Sequence, residues 1–221
     1  MSVLTRAAPP LSPSEQTPPA PTASRGNAEV PVEHRMLASA ALALAMAALV
    51  LASVAGFDRV FVDGTWVAPV VASALAAQAL AATLRLVRIP PLVAMVLGLL
   101  GVAAIGVGAA LGLGAFASFP NGTWRSVVDA IEQARTALST AIAPVPTNRG
   151  YDLLAAWGAG VVALLGDWGA FRLRSPAHGA APGLALFVLC CVLGGPAHRD
   201  VDLAGWLAAA LLFLLAHQVA M

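Results

Sequence analysis

Six long apolar runs divide this chain, and all of its charges but Asp152 and Asp167 fall outside them. The first run covers about 36–56, and no charged residue falls between Arg35 and Asp58. A helix rising about 1.5 Å per residue needs some 20 apolar residues to cross a hydrocarbon layer of ~30 Å. The run meets that length and is too long for the apolar stretch of a cleaved signal peptide. A second run spans 66–84, between Asp63 and Arg85. A third, 91–118, follows Pro90-Pro91, and residues 89–124 carry no charge, so this helix has length to spare for tilting. The fourth, 151–171, holds Asp152 at its start and Asp167 near its end; the fifth is 180–195 with Pro182 at its start; the sixth is 203–221 with His217 near its end. No strand-like alternation or internal repeat interrupts them. The pattern predicts an all-α, polytopic membrane helix bundle of about six transmembrane helices. The fifth run is short enough to be re-entrant, which would reverse the C-terminal topology.

Two segments depart from this pattern. Residues 1–33 are rich in Pro, Ser and Thr (Pro9, Pro10, Pro13, Pro18, Pro19, Pro21, Pro31) and cannot bury enough apolar surface to offset their ordering entropy. They are expected to form a disordered tail. Residues 119–150 mix polarities. Asn121 or Thr123 can cap a helix over 124–142, on which Trp124, Val127, Val128, Ile131, Leu138 and Ile142 share one face. Arg125, Asp129 and Glu132 fall off that face, Arg135 falls on it, and Pro144 and Pro146 end the helix. An amphipathic helix results, lying in the membrane interface or packed on protein. The third run is Gly-rich, and Gly108 and Gly112 have the spacing that lets helices approach closely in lipid.

Composition agrees: 59% hydrophobic and 10% charged residues leave too little charge to cover a water-facing surface. A net charge of +1 assembles no basic patch for nucleic acid. All twelve basic residues are Arg. They sit unevenly in the loops: Arg85 and Arg88 in one, Arg172 and Arg174 in another on the same side, with Arg25 and Arg35 ahead of the first helix. The opposite short loops, 57–65 and 195–202, have one each, Arg59 and Arg199, accompanied by acids. The positive-inside rule then places the N-terminus in the cytoplasm and the 119–150 segment outside. Trp66, Tyr151 and Trp206 fall at the outer interface and Trp168 at the inner one.

Candidate chemistry is sparse. Ionisable groups inside a membrane are functional suspects. Asp167 leads them, as an ion or proton ligand or, more plainly, as a partner for Arg172 or Arg174. His217 near the last helix's end is expected to snorkel or to be hydrogen-bonded. His34, His178 and His198 lie in flanks and loops. Gln78 is the one large polar group near the middle of a span, which is thin provision for a conduction path. Cys190 and Cys191 sit in an apolar run with neither metal-ligand nor redox spacing, and they read as small apolar fillers. Asn121-Gly122-Thr123 fits a glycosylation sequon, relevant only in a eukaryotic secretory context. No catalytic, cofactor-binding or metal-binding residue is assigned.

Several stretches, in order, resemble a known arrangement. These are Ala143-Pro144-Val145-Pro146, then Val161-Val162-Ala163-Leu164-Leu165-Gly166-Asp167-Trp168, then Arg172, Arg174, Ser175 and Pro176, then the span led by Ala180 to Leu186. The chain resembles, over roughly 36–221, the N-terminal membrane region of actinobacterial transglutaminase-like proteins of the TgpA type. The resemblance implies a bacterial plasma-membrane protein that anchors an outer transglutaminase-like domain. The catalytic Cys, His and Asp of such a domain have no counterpart here, so this chain is expected to be no enzyme itself, whereas a longer parent protein would be. The resemblance also implies a MoxR-type ATPase and a companion protein as partners, beside the lipid bilayer. A membrane-anchoring scaffold is therefore the expected function; the alternative is a small multi-pass transporter or channel subunit.

Overall fold

A computed structural model describes residues 32–117, 120–138, 143–195 and 198–220. The expected tail lies almost wholly outside these described residues. Seven α-helices follow in order: α1 Val32–Ala55, α2 Val67–Leu86, α3 Pro91–Leu111, α4 Asn121–Leu138, α5 Arg149–Asp167, α6 Pro176–Leu193 and α7 Arg199–Ala220. All but α4 belong to the six segments long and apolar enough to cross a membrane. Large apolar side chains such as Leu44, Leu92, Leu100, Val192, Leu211 and Val219 are exposed on their outer faces. Water would not tolerate so continuous an apolar surface, whereas acyl chains cover it at no cost. This is the architecture of a multi-pass membrane protein.

At the centre stands α5. Two thirds of its spanning segment is buried (67%), against 22–39% for the other five. Small residues make this possible. A Cβ added at Gly160 would meet Val102 of α3 at 2.8 Å and the Ser73 hydroxyl of α2 at 3.2 Å; one added at Gly166 would collide with Met46 of α1. Ala156, Ala159 and Ala163 are fully buried between them. Lipid offers helices no hydrophobic reason to associate, so backbone-to-backbone approach and the dispersion contacts it brings must supply the attraction. On the far side, α1 packs against α6 and α7. There Ser53 and Gly183 nearly touch, and Phe187 stacks on Trp206 at 5.5 Å.

Several boundaries differ from the sequence pattern. Helix α1 begins at Val32 rather than 36, and α4 begins at Asn121, so Asn121 and Thr123 lie within it instead of capping a start at 124, while its expected end at 142 lies outside the described residues. Helix α3 stops at Leu111 rather than reaching 118, because Gly112 turns to φ 82°, a left-handed conformation closed to most residues. Gly112 is thus a helix end in open space, not half of a packing motif with Gly108; in α3 it is Gly98, Gly101 and Gly106 that admit neighbours, Leu164, Leu80 and Trp157. Helix α6 begins at Pro176, not 180, with the Ser175 side chain accepting from the His178 N–H, and Pro182 sits within it. That gives it 18 residues, or about 27 Å. Helix α7 begins at Arg199, four residues before the apolar run.

The amphipathic segment has three faces rather than two. Thr123, Val127, Ala130 and Ala134 are buried against the bundle. Trp124, Val128, Ile131 and Leu138 form an exposed apolar stripe beside them, with Arg135 in that stripe and also exposed. Arg125, Ser126, Asp129, Glu132 and Gln133 occupy the remaining, polar face. The interface and protein-packed alternatives are therefore compatible: one face docks on α5 and the next is free for lipid. Docking depends on Gly150, where an added Cβ would strike the Ala130 carbonyl and come within 2.8 Å of Ala134. Gly150→Ala should destabilise the protein by about 2 kcal/mol through overpacking. Gly158→Ala, which meets nothing within 4 Å, should not. Unfolding midpoints of the two variants in detergent compare them directly; equal midpoints would refute the close approach.

Candidate functional site

The polar side chains inside the bundle fall into two groups, those that fasten one helix to another and those left without a partner. Asp167, at the last residue of α5, belongs to the first. It accepts a 2.8 Å hydrogen bond from Arg85 Nη1, in the last turn of α2. Its expected partners are elsewhere: Arg172 donates to the Ile89 carbonyl at 3.0 Å, and Arg174 makes no described ion pair with it. The pairing follows from the packing, since α2 lies along α5 and their C-terminal ends meet at one side of the bundle. The Arg85 guanidinium also lies 3.4 Å above the Phe171 ring, a cation–π contact. Phe171 sits in the π-helical turn Trp168–Arg172 that continues α5.

Other fasteners are neutral. Ser73 donates to the Ala156 carbonyl at 2.7 Å, joining α2 to α5. Trp206 Nε1 donates to Ser53 Oγ at 3.0 Å, and Ser53 in turn donates to the Leu49 carbonyl within α1. Trp157 Nε1 donates to the Ala103 carbonyl at 3.0 Å, joining α5 to α3.

A buried arginine went unrecognised in the sequence. Arg59, in the α1–α2 loop, is 3% exposed. Its Nε and Nη2 donate to the Gly195 carbonyl at 3.1 and 2.8 Å, and its Nη1 lies 3.1 Å from Cys191 Sγ. The Gly195 N–H donates back to the Arg59 carbonyl at 3.0 Å, and Asp202 stands 4.0 Å away at the start of α7. Arg59 thereby closes the C-terminal end of α6, where unpaired carbonyls favour a cation. The one available signal was the adjacent charges Asp58 and Arg59 within Phe57-Asp58-Arg59-Val60-Phe61, an otherwise aromatic and apolar loop. Cys190 is buried and Cys191 half-buried, both as free thiols.

On the same side, Val145 N–H donates to the Val60 carbonyl and Val62 N–H to the Val145 carbonyl, tying the α1–α2 loop to the segment after α4. Asp63 reinforces this tie by accepting from the Thr147 and Thr65 hydroxyls. Those bonds, Thr147 first, hold the Asp63 carboxyl below its ordinary value of 3.8.

Several buried groups remain without a hydrogen-bond partner among the described residues, among them the Trp66 and Trp168 indole N–H groups, the Tyr151 hydroxyl and one Asp202 oxygen, besides Gln78, His217 and Asp152. Gln78, buried in α2, has neither amide oxygen nor nitrogen bonded. His217 does not snorkel: it is 6% exposed, its ring lies 6.0 Å from Phe213, and Nε2 is unbonded. Asp152 keeps one buried oxygen unbonded near the start of α5. Gln78 and His217 lie on different helices, and the described residues contain no cluster of three His, Cys, Asp or Glu placed to hold a metal ion. His178 bonds to Ser175 through Nδ1 at 2.8 Å, and His34 lies in the first turn of α1. No known protein family, curated protein or solved structure matches the chain.

The Arg85–Asp167 pair makes a quantitative expectation. Asp167→Leu alone strands a partly buried guanidinium and should cost about 3 kcal/mol, the low end for such pairs because Arg85 keeps 24% exposure. The double change Arg85→Met with Asp167→Leu should recover most of that loss in unfolding titrations. Simple addition of the two single effects would disprove the coupling. For Asp63, a depressed folded value means that its stabilising bonds are fully present above pH 3.8 and are lost as pH falls through that lower folded value. Thr147→Val should raise the Asp63 value toward 3.8, read by carboxylate NMR across a pH titration.

Proposed function

We propose that this chain is a membrane-anchoring scaffold that acts by holding attached or bound partners in place rather than by chemistry of its own. The observation that carries this reading is the use of polar groups as fasteners. Ser73, Trp206, Trp157, Arg85 and Arg59 each tie one helix or loop to another, as a rigid support requires. On this reading the chain lies in a bacterial plasma membrane with its N-terminus in the cytoplasm and α4 outside. The resemblance to the membrane region of transglutaminase-like proteins extends the proposal: α4 and the 143–147 loop form the foot of an outer catalytic domain, and the Arg-bearing inner loops face a MoxR-type ATPase and its companion.

A second reading, a small transporter or channel subunit, is favoured by Gln78, whose unbonded amide in a spanning helix is the kind of group that a transported solute can use. One set of measurements separates the two. The product carrying this sequence is isolated from native membranes by crosslinking and weighed intact. A scaffold predicts a mass above 22.3 kDa, or a co-purifying transglutaminase-like domain, together with unchanged growth in Gln78→Leu cells. A bare 22.3 kDa product with a growth or flux defect in Gln78→Leu would remove the anchoring role and leave transport. Topology is read in the same cells, with Ser126→Cys expected to label from outside and Ala177→Cys only after permeabilisation.

A further inference from the structure

Where the α2–α3 turn meets the end of α5 and the start of α6, the surface opens into a cleft of about 780 Å³. Four arginines line it: Arg85, Arg88, Arg172 and Arg174. Asp167 is the one acidic residue in the two stretches that build it, 83–93 and 166–178, and its charge is engaged by Arg85. The cleft is therefore left with a surplus of about three positive charges. Arg172 is held in position by its Nη2 bond to the Ile89 carbonyl, with its other N–H groups uncommitted among the described contacts. Arg88 and Arg174 have no partner among the described residues, and both are exposed. Each sits at positive φ, 58° and 51°. An arginine gains nothing intrinsically from that conformation, and such residues gather where a surrounding structure or ligand compensates.

Two further features point to an anion. Trp168 lines the cleft, and its buried indole N–H has no acceptor among the described residues. Pro91, at the first position of α3, forms part of the wall, so the positive end of that helix opens on the same space. Planar guanidinium groups suit the oxygens of a phosphate group, which accept several charge-assisted bonds at once. Exposed apolar side chains, Leu86, Val87, Leu92 and Leu173, border these charges. A soluble anion has no use for that border, whereas a phospholipid would lay its acyl chains along it.

We propose that this cleft binds a phosphate group, carried by the headgroup of an anionic phospholipid. The site is independent of the anchoring reading, because it concerns what the bundle holds at its arginine-rich end and not what it supports at the other.

The test uses the full chain, purified in neutral detergent, with thermal unfolding as the readout. Wild-type protein should gain about 5 °C on adding saturating phosphatidylglycerol and much less on adding phosphatidylcholine. The double variant Arg88→Gln/Arg174→Gln should bind phosphatidylglycerol about thirtyfold more weakly. Arg125→Gln, in the polar face of α4, should respond like wild type. Unfolding of each variant in phosphatidylcholine alone establishes that it is folded, and Arg174→Lys, which keeps the charge, serves as a milder second variant. Inorganic phosphate and pyrophosphate form the other arm: if they stabilise as strongly as the lipid, and the double variant abolishes it, the phosphate site stands and its ligand is soluble. Equal stabilisation by phosphatidylglycerol and phosphatidylcholine with no response to either phosphate would overturn the proposal, as would an undiminished response in the double variant.

Discussion

Helices in lipid gain no free energy from hiding apolar side chains against one another, because the surrounding acyl chains are just as apolar. What remains is contact, and contact improves as backbones approach. The bundle depends on this constraint at α5, where Gly150, Gly160 and Gly166 alternate with fully buried alanines. Each glycine receives a different neighbour: α4 at Gly150, α2 and α3 at Gly160, and α1 at Gly166. One helix rich in small residues thus serves as the common wall, with larger side chains such as Leu153, Leu164, Met46 and Phe213 filling the spaces around it.

Polar groups refine that packing. Their placement is uneven, and the unevenness has functional meaning. Charged fasteners lie toward the ends: Arg85–Asp167 where α2 and α5 finish, and Arg59 in the first loop. For Arg85 the cost of desolvation is smaller, because part of its guanidinium remains exposed, whereas Arg59 is buried and is compensated by the Gly195 carbonyl it bonds twice. Deeper positions use neutral hydroxyl and indole donors on backbone carbonyls, as Ser73 and Trp157 do. Helix α4 is sorted in the same way, with Thr123, Val127, Ala130 and Ala134 toward protein, an exposed apolar stripe beside them and charges on the third face.

The six spans were legible because a membrane imposes one length and one polarity on every crossing segment. Residues such as Arg35, Asp58, Asp63 and Arg85 mark the ends of runs directly. Boundaries set by single-residue geometry were harder to see. Gly112 looked like a packing glycine and is a helix terminator, since only its backbone dihedral distinguishes the two roles. The Ser175-Pro176 start of α6 was hidden because capping residues are not apolar. Pairings were the least legible. Asp167 has Arg172 and Arg174 nearby in sequence, yet its partner is Arg85, brought alongside by tertiary packing over a separation of 82 residues. Arg59 was counted as a loop charge, and nothing local says that Gly195 will close over it.

That last contact has a temporal side. The acceptors of Arg59 lie 132 and 136 residues further along the chain. A ribosome adding ~5–20 residues per second needs on the order of ten seconds to cover that interval. Through that time the first hairpin has left the ribosome while its guanidinium still faces solvent at the membrane surface, where waiting is cheap because water satisfies it. Arrival of the α6–α7 turn then withdraws the charge from water and joins the α1–α2 loop to it. This contact acts as a latch, with the earlier-made segment waiting for the later one.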